Sequence, residues 1–191
     1  TGVEVIHLGH NRSVQEIVHA AIEEDVQGIA ISSYQGGHVE FFKYMVDLLR
    51  ESGAMHIKVF GGGGGVIVPE EIRELEAYGV AKIYSPEDGA QMGLQGMINH
   101  LVQALDFPTV HDFNFALDGL SPDNKRLVAH LISAAETAKV RQNGHLAKLR
   151  AEFARRIGGR KVPVVGITGT GGAGKSSLTD ELIVRILHDL K

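Results

Sequence analysis

A chain of 191 residues, 43% of them apolar, with a formal net charge of -4, has room for one domain or two small ones. The slight negative balance argues against a nucleic-acid or membrane-surface partner, and no apolar run approaches the roughly 20 residues that span a bilayer. With no cysteine, disulfides, zinc–thiolate sites and thiol catalysis are all excluded.

Residues 3–8 (VEVIHL) form a short apolar run closed by Gly9 and read as a strand. No basic leader precedes it, so a cytoplasmic compartment is the expectation. Ser13 and Glu16 have capping-box spacing, and Val14, Ile17, Val18, Ala21 and Ile22 follow at helical intervals. Residues 28–32 (GIAIS) are the next strand. A second helix runs from about His38 to Ser52, with Phe41, Phe42, Met45, Leu48 and Leu49 on its apolar side. Residues 57–60 read as a strand that runs straight into five glycines, 61–65. Val66, Ile67, Val68 and Pro69 lead into a short helix ending at Tyr78, and residues 82–84 give a further strand. Pro86 starts a helix that continues towards Leu105.

Strands alternating with helices predict a flavodoxin-like, Rossmann-type α/β domain over residues 1–105. Its parallel sheet is expected to be covered on both faces. Ligands of such sheets sit beyond the carboxyl ends of the strands. Those ends are Gly9-His10-Asn11, Ser32-Ser33-Tyr34, the glycine run, and Ser85-Pro86-Glu87-Asp88. All are small, polar or glycine-rich, which predicts a binding edge. Gly64 and Gly65 directly after an apolar strand favour close approach of backbone to ligand over a simple hinge.

From Asp106 the period is lost, and residues 107–112 read as a loop. Ser121-Pro122-Asp123-Asn124 starts one long helix, with Asn143-Gly144 as its weak point and Gly158-Gly159 as its end. Residues 106–160 are thus expected to form a helical linker. Its Lys139, Arg141, Lys148, Arg150, Arg155 and Arg156 read first as a solvated face, and second as a docking face for the downstream domain. Residues 161–166 are expected to be a new strand and 161–191 the start of a P-loop NTPase α/β domain.

The eight residues Gly169-Thr170-Gly171-Gly172-Ala173-Gly174-Lys175-Ser176 fit G-x-x-x-x-G-K-[ST] at every fixed position, between a strand-like run and a helix starting at Ser177. Glycines let backbone N–H groups close around a β-phosphate, and the helix N-terminus adds partial positive charge. Lys175 suits the β/γ oxygens and the Ser176 hydroxyl suits Mg²⁺. The base is not readable, because no Asn-Lys-x-Asp run is present. Both ends look cut, so the sequence is expected to be a piece of a longer protein.

Taken alone, the residues suggest a cofactor holder joined to a nucleoside-triphosphate site. Ser32, Tyr34, Gly36, Gly37 and His38 resemble the S-x-L…G-H segment of cobalamin-binding domains. Gly64, Gly65, Val66 and Ile67, with Pro69, resemble the G-G-V-I-x-P segment that comes after it. Ile83-Tyr84-Ser85-Pro86 takes the place of the loop that closes over the cofactor's nucleotide tail. The first domain is similar to the B12 domain of methylmalonyl-CoA-type mutases. The order of B12 domain, helical linker and phosphate loop resembles the fused isobutyryl-CoA mutases over essentially the whole chain. That resemblance implies adenosylcobalamin, GTP and Mg²⁺ as cofactors, with Ser32, Tyr34, Gly36, Gly37, His38, Gly64, Gly65, Val66, Ser85 and Pro86 on the cobalamin. It places Gly169, Gly171, Gly172, Ala173, Gly174, Lys175, Ser176 and Ser177 on the nucleotide, with Ser176 on Mg²⁺. It also implies an acyl-CoA substrate bound by a barrel outside this chain, a homodimer, and a radical isomerisation of isobutyryl-CoA to n-butyryl-CoA. GTP hydrolysis by the G domain would gate cofactor loading.

Two departures stand out. The family's D-x-H-x-x-G motif, which carries the cobalt-ligating histidine, is not in this sequence and would precede Val3, leaving the domain without its first strand. Position 34 is Tyr where many relatives have Leu. His10 and His38 lie at the predicted edge but read as a solvated residue or a cap rather than as substitutes for that ligand, and His7 as a packed or flanking residue. Ser32 reads as a cofactor contact rather than a nucleophile, since no base is placed beside it. The rival readings are a P-loop ATPase or kinase with a flavodoxin-like regulatory domain, and a corrinoid carrier or sensor.

Overall fold

The spacing of apolar residues sorts the first hundred residues into helices and short strands, and the chain follows it closely. A computed structural model describes residues 2–34, 36–110, 117–141, 144–159, 161 and 163–189. Gln35, the loop at 111–112, Asn143, Val162 and Leu190, all part of segments read from the sequence, lie outside the described residues. The chain divides into two compact units, Thr1–Leu149 and Arg150–Lys191.

In the first unit, α1 (Val14–Glu23) begins at Ser13, whose hydroxyl accepts the Glu16 N–H while the Glu16 carboxylate accepts the Ser13 N–H. This reciprocal box satisfies two donors that a helix start leaves open. The order then runs β1 (Gly28–Ser32), α2 (His38–Glu51), β2 (Lys58–Gly62), α3 (Pro69–Tyr78), β3 (Lys82–Tyr84) and α4 (Pro86–Leu105). The strands are parallel in the order β1-β2-β3, with Ala30 opposite Phe60 and Gly61 opposite Ile83.

Strand alternation divides the sheet into two unequal faces. Ile29, Val59 and Ile83 join Val14, Val18, Phe42, Met45, Leu49 and Leu75 in one apolar core under α1, α2 and α3. The other face carries Ala30, Ser32, Phe60, Gly62 and Tyr84 and meets α4, none of whose residues is fully buried. Sheets of this kind are normally covered on both sides. Here α4 stands over the second face, where Phe60 is buried although no residue of α4 is.

Two expected strands are corrected. Residues 3–8 make no ladder, and Val5 stays 77% exposed. Of the strand expected at 161–166, the described residues 161 and 163–166 are likewise unpaired, with Val164 93% exposed. Both runs have strand composition, but a strand also requires a neighbour to take its N–H and C=O groups. No described segment forms a ladder with either, although Leu8 packs against the core and its carbonyl accepts from Arg12 Nε at 2.8 Å.

The expected linker is a helix pair. A 3₁₀ turn (Leu117–Gly119) precedes α5 (Lys125–Arg141), and α6 (His145–Ile157) comes after the break at Gly144, whose φ of 76° is left-handed. Helix α5 packs on α1 and buries Ala129, Leu131, Ala134 and Ala138. Its approach is fixed by polar contacts. The Thr109 hydroxyl donates to Asp25 Oδ2 at 2.7 Å, and His130 Nδ1 lies 3.6 Å from Asp25 Oδ1. The Gln27 amide donates to the Phe107 carbonyl. Burial beside this cluster holds His56 below the ordinary imidazole range. The Asp25 charge opposes that shift, while Arg126 and His130 reinforce it.

In the second unit, Gly158 and Gly159 adopt positive φ at the end of α6, and α7 (Lys175–Asp189) comes after the phosphate-loop motif. Among the described residues no helix is long and apolar enough to cross a membrane.

Candidate cofactor-binding edge and phosphate loop

The carboxyl ends of the three strands open onto a cavity of about 640 Å³, within the roughly 300–1,000 Å³ usual for small-molecule sites. One wall is the lightly covered sheet face, through Ala30, Ser32, Phe60 and Tyr84. The other is the apolar stripe of α4: Leu94, Met97, Ile98 and Leu101. The rim consists of Gly62, Gly63 and Gly64, then Ser85 and Pro86.

The rim lies close because it lacks side chains. A Cβ on Gly63 would stand 2.2 Å from the Ser33 carbonyl oxygen, and one on Gly61 would stand 2.5 Å from the Phe42 ring. Gly64 (φ 57°) and Gly65 (φ 92°) bend the chain through left-handed conformations. The Ser33 N–H continues the ladder by donating to the Gly62 carbonyl at 2.8 Å. The result is a flat backbone ledge beside an apolar slot.

Of the residues chosen from the sequence, Ser32, Tyr34, Gly64, Ser85 and Pro86 line the cavity, whereas Gly36, Gly37, His38, Gly65 and Val66 do not. Gly37 instead caps α2 at φ 83°. His38 is buried, and its Nε2 lies 2.9 Å from Glu71 Oε2, tying the start of α2 to α3. The same Glu71 oxygen accepts the Val68 N–H at 2.9 Å. That bond first, and the His38 contact second, hold the Glu71 carboxyl below its ordinary range. His7 and His10 are exposed.

Sequence reasoning missed Phe60 and the α4 stripe, and named Tyr84 only as part of the loop at Ile83-Tyr84-Ser85-Pro86, not as a cavity wall. The Tyr84 ring stacks on Phe60 at 6.5 Å between centroids and 16° between planes. Its hydroxyl lies 2.7 Å from His100 Nδ1 and donates to the Met97 carbonyl at 3.3 Å. Burial, aided by the Asp88 charge, holds this phenol above the ordinary range. The i, i+3, i+4, i+7 spacing from Leu94 was visible, but it is equally the mark of an ordinary core helix.

The start of α4 is fixed by Ser85, whose hydroxyl accepts the Asp88 N–H while Asp88 Oδ2 accepts the Ser85 N–H. Burial pulls the Asp88 carboxyl up, but that N–H and the Lys82 ammonium outweigh it and leave it lowered. At Gly93 the backbone is non-helical (φ 64°, ψ 171°), so α4 is two segments that meet at a kink.

The phosphate-loop motif stands in the second unit. Gly172 and Gly174 take positive φ, and the Lys175 ammonium donates to the Thr170 carbonyl at 2.7 Å, folding the lysine over its own loop. Ser176 and Ser177 lie in the first turn of α7, where free N–H groups favour an anion. Among the described residues no group of three or more His, Asp or Glu is arranged to hold a metal ion.

Residues 1–94 match the family described as B12 binding domain. Over its whole length the chain is 57% identical to a fused isobutyryl-CoA mutase of Geobacillus kaustophilus, covering 18% of that protein. It is 61% identical over 188 residues to a fused isobutyryl-CoA mutase of Cupriavidus metallidurans, covering 98% of the chain and 17% of the relative. A pivalyl-CoA mutase small subunit of Xanthobacter autotrophicus is 40% identical over 86 residues, 44% of this chain and 55% of the subunit. The chain therefore spans about a sixth of the length of the first two relatives.

Proposed function

We propose, from the match of residues 1–94 to the B12 binding domain family, that this chain is the cofactor-holding part of an adenosylcobalamin-dependent acyl-CoA mutase with a GTPase fused downstream. The observation that carries the reading is the slot between the strand ends and α4, whose strand-end wall and rim lie within the matched residues while Met97, Ile98 and Leu101 lie just beyond them. The residues fit the group. Phe60, Tyr84 and the α4 stripe offer flat apolar walls to a heteroaromatic base. The Ser32 and Ser85 hydroxyls and the glycine ledge offer polar and backbone contacts to its sugar and phosphate. Gly64, Gly65 and Val66 would carry the neighbouring side chains of the corrin, and Tyr34 would stand over the ledge. Gly36, Gly37 and His38 would act one step back, by fixing the turn into α2. What the bound cofactor supplies is a cobalt–carbon bond weak enough to break homolytically. The role of this chain is to hold it and exclude water.

In this reading residues 1–105 hold cobalamin, 106–160 connect, and 161–191 open a G domain. Gly169, Gly171, Gly172, Ala173, Gly174 and Ser177 would supply N–H groups to the GTP phosphates. Lys175 would neutralise them and Ser176 would ligate Mg²⁺. The substrate is an acyl-CoA, isobutyryl-CoA in exchange with n-butyryl-CoA, bound by a barrel elsewhere in a cytoplasmic homodimer. Identity over the full chain to fused isobutyryl-CoA mutases supports these finer points.

The test is an ultraviolet–visible titration of adenosylcobalamin into the full-length protein. Displacement of the cofactor's own base from cobalt, seen as a saturable spectral shift, is the expected result. A folded protein that leaves the spectrum unchanged refutes the reading.

A further inference from the structure

Helix α4 is an unusual wall. None of its twenty residues is fully buried, and Gly93 interrupts it beside the cavity. Its second segment, from Leu94 onward, packs on the sheet at its far end, where Leu105 lies against Gly28, and is only half-buried beside the cavity. Polar contacts do part of that work. At its far end the Lys58 ammonium donates to the Ala104 carbonyl at 2.8 Å. Next to the cavity, the Tyr84 hydroxyl meets both His100 Nδ1 and the Met97 carbonyl. The His100 ring also stands edge-on to Tyr84, at 5.8 Å and 90°. Tyr84 is thus at once a cavity wall and the fastener of the opposite wall. One side chain fixes the distance between the aromatic floor and Leu94, Met97, Ile98 and Leu101.

We propose that Tyr84 and His100 are positioning residues that set the width of the slot, and so make this domain select corrinoids that carry an aromatic nucleotide tail. The proposal rests on the cobalamin reading above and adds to it the pair that controls the fit. In the cobalamin reading the nucleotide tail takes the slot between Phe60, Tyr84 and the α4 stripe, and the corrin takes the glycine rim. Unfastening α4 therefore affects the tail and leaves the ring's contacts in place. The pair works with either tautomer of His100, because the Tyr84 hydrogen can go to Met97 while Nδ1–H donates to the phenol oxygen.

The experiment compares cobalamin with cobinamide, which has the corrin ring but no nucleotide tail, on the full-length protein. Equilibrium affinities are measured for the wild type, Tyr84→Phe, His100→Ala and His100→Gln. Tyr84→Phe keeps the ring and removes the fastening hydroxyl. His100→Gln keeps a polar partner within reach of that hydroxyl. Losing one hydrogen bond at the wall should weaken cobalamin by about tenfold in Tyr84→Phe and His100→Ala. Cobinamide affinity should stay unchanged, and His100→Gln should recover most of the loss. Parallel weakening of both corrinoids, or no change in either, overturns the positioning role while leaving the cofactor reading intact. A wild-type protein that binds neither corrinoid overturns both.

Discussion

Gly63 shows how much one absent side chain can decide. The space where its Cβ would go is taken by the Ser33 carbonyl, a backbone atom that cannot rotate away. Gly63→Ala should therefore force the ledge off β1 and destabilise the first unit by about 1–3 kcal/mol, the usual cost of overpacking. Gly62→Ala, whose nearest neighbour would be the Tyr84 carbonyl at 3.6 Å, should cost less. Equilibrium urea unfolding of the two variants measures the difference, and equal midpoints would contradict it. In the sequence all five glycines look alike, and Gly64 and Gly65 drew the inference of close approach. Against the protein's own atoms the tightest spacing is at Gly61 and Gly63, which face the Phe42 ring and the Ser33 carbonyl. His38 is a similar case. Its place at the edge was legible, but its commitment to Glu71 depends on how α3 returns to α2, which no local pattern encodes.

Elements specified by their own residues were legible, while those that need a partner were not. Helices α1 and α4 begin at Ser13 and Ser85, where reciprocal side-chain caps are written within four residues. Residues 3–8 and 163–166 carry β-branched runs of the same kind as β1, yet form no ladder, because pairing is settled by a neighbour rather than by composition. The docking of α5 on α1 was equally hidden, since its alanine-rich stripe does not name its target. Asp25 reveals the attachment. Its side chain is 5% exposed, and Thr109 supplies its close hydroxyl partner. Thr109→Val keeps the shape and deletes that donor from a buried carboxylate, so a loss of about 1–3 kcal/mol is expected. Amide exchange across Lys125–Arg141 should quicken while β2 stays protected. Unchanged exchange in α5 would show that apolar contacts alone hold it.

For the whole molecule, the division of labour predicts separable losses. Lys175→Ala removes the ammonium from the phosphate loop and should weaken GTP by about 10- to 100-fold, the range for a charge-assisted bond. The cobalamin titration of the same variant should be unchanged, and a loss of both ligands would contradict separate sites. Two separate glycine patterns were legible, one after β2 and one before α7, each at the place where the chain bends through left-handed glycines. The asymmetry of the sheet was not, since nothing in β1 or β2 says how well each face will be covered. The docking of α5 also bears on how the domain could be transplanted. A graft severed after Leu105 would strip Val110, Leu117 and Leu131 from the surface they cover and leave the Asp25 carboxylate without its hydroxyl partner. Severed after Arg141, the same graft carries its own lid, so the portable unit ends a full helix later than the motifs suggest.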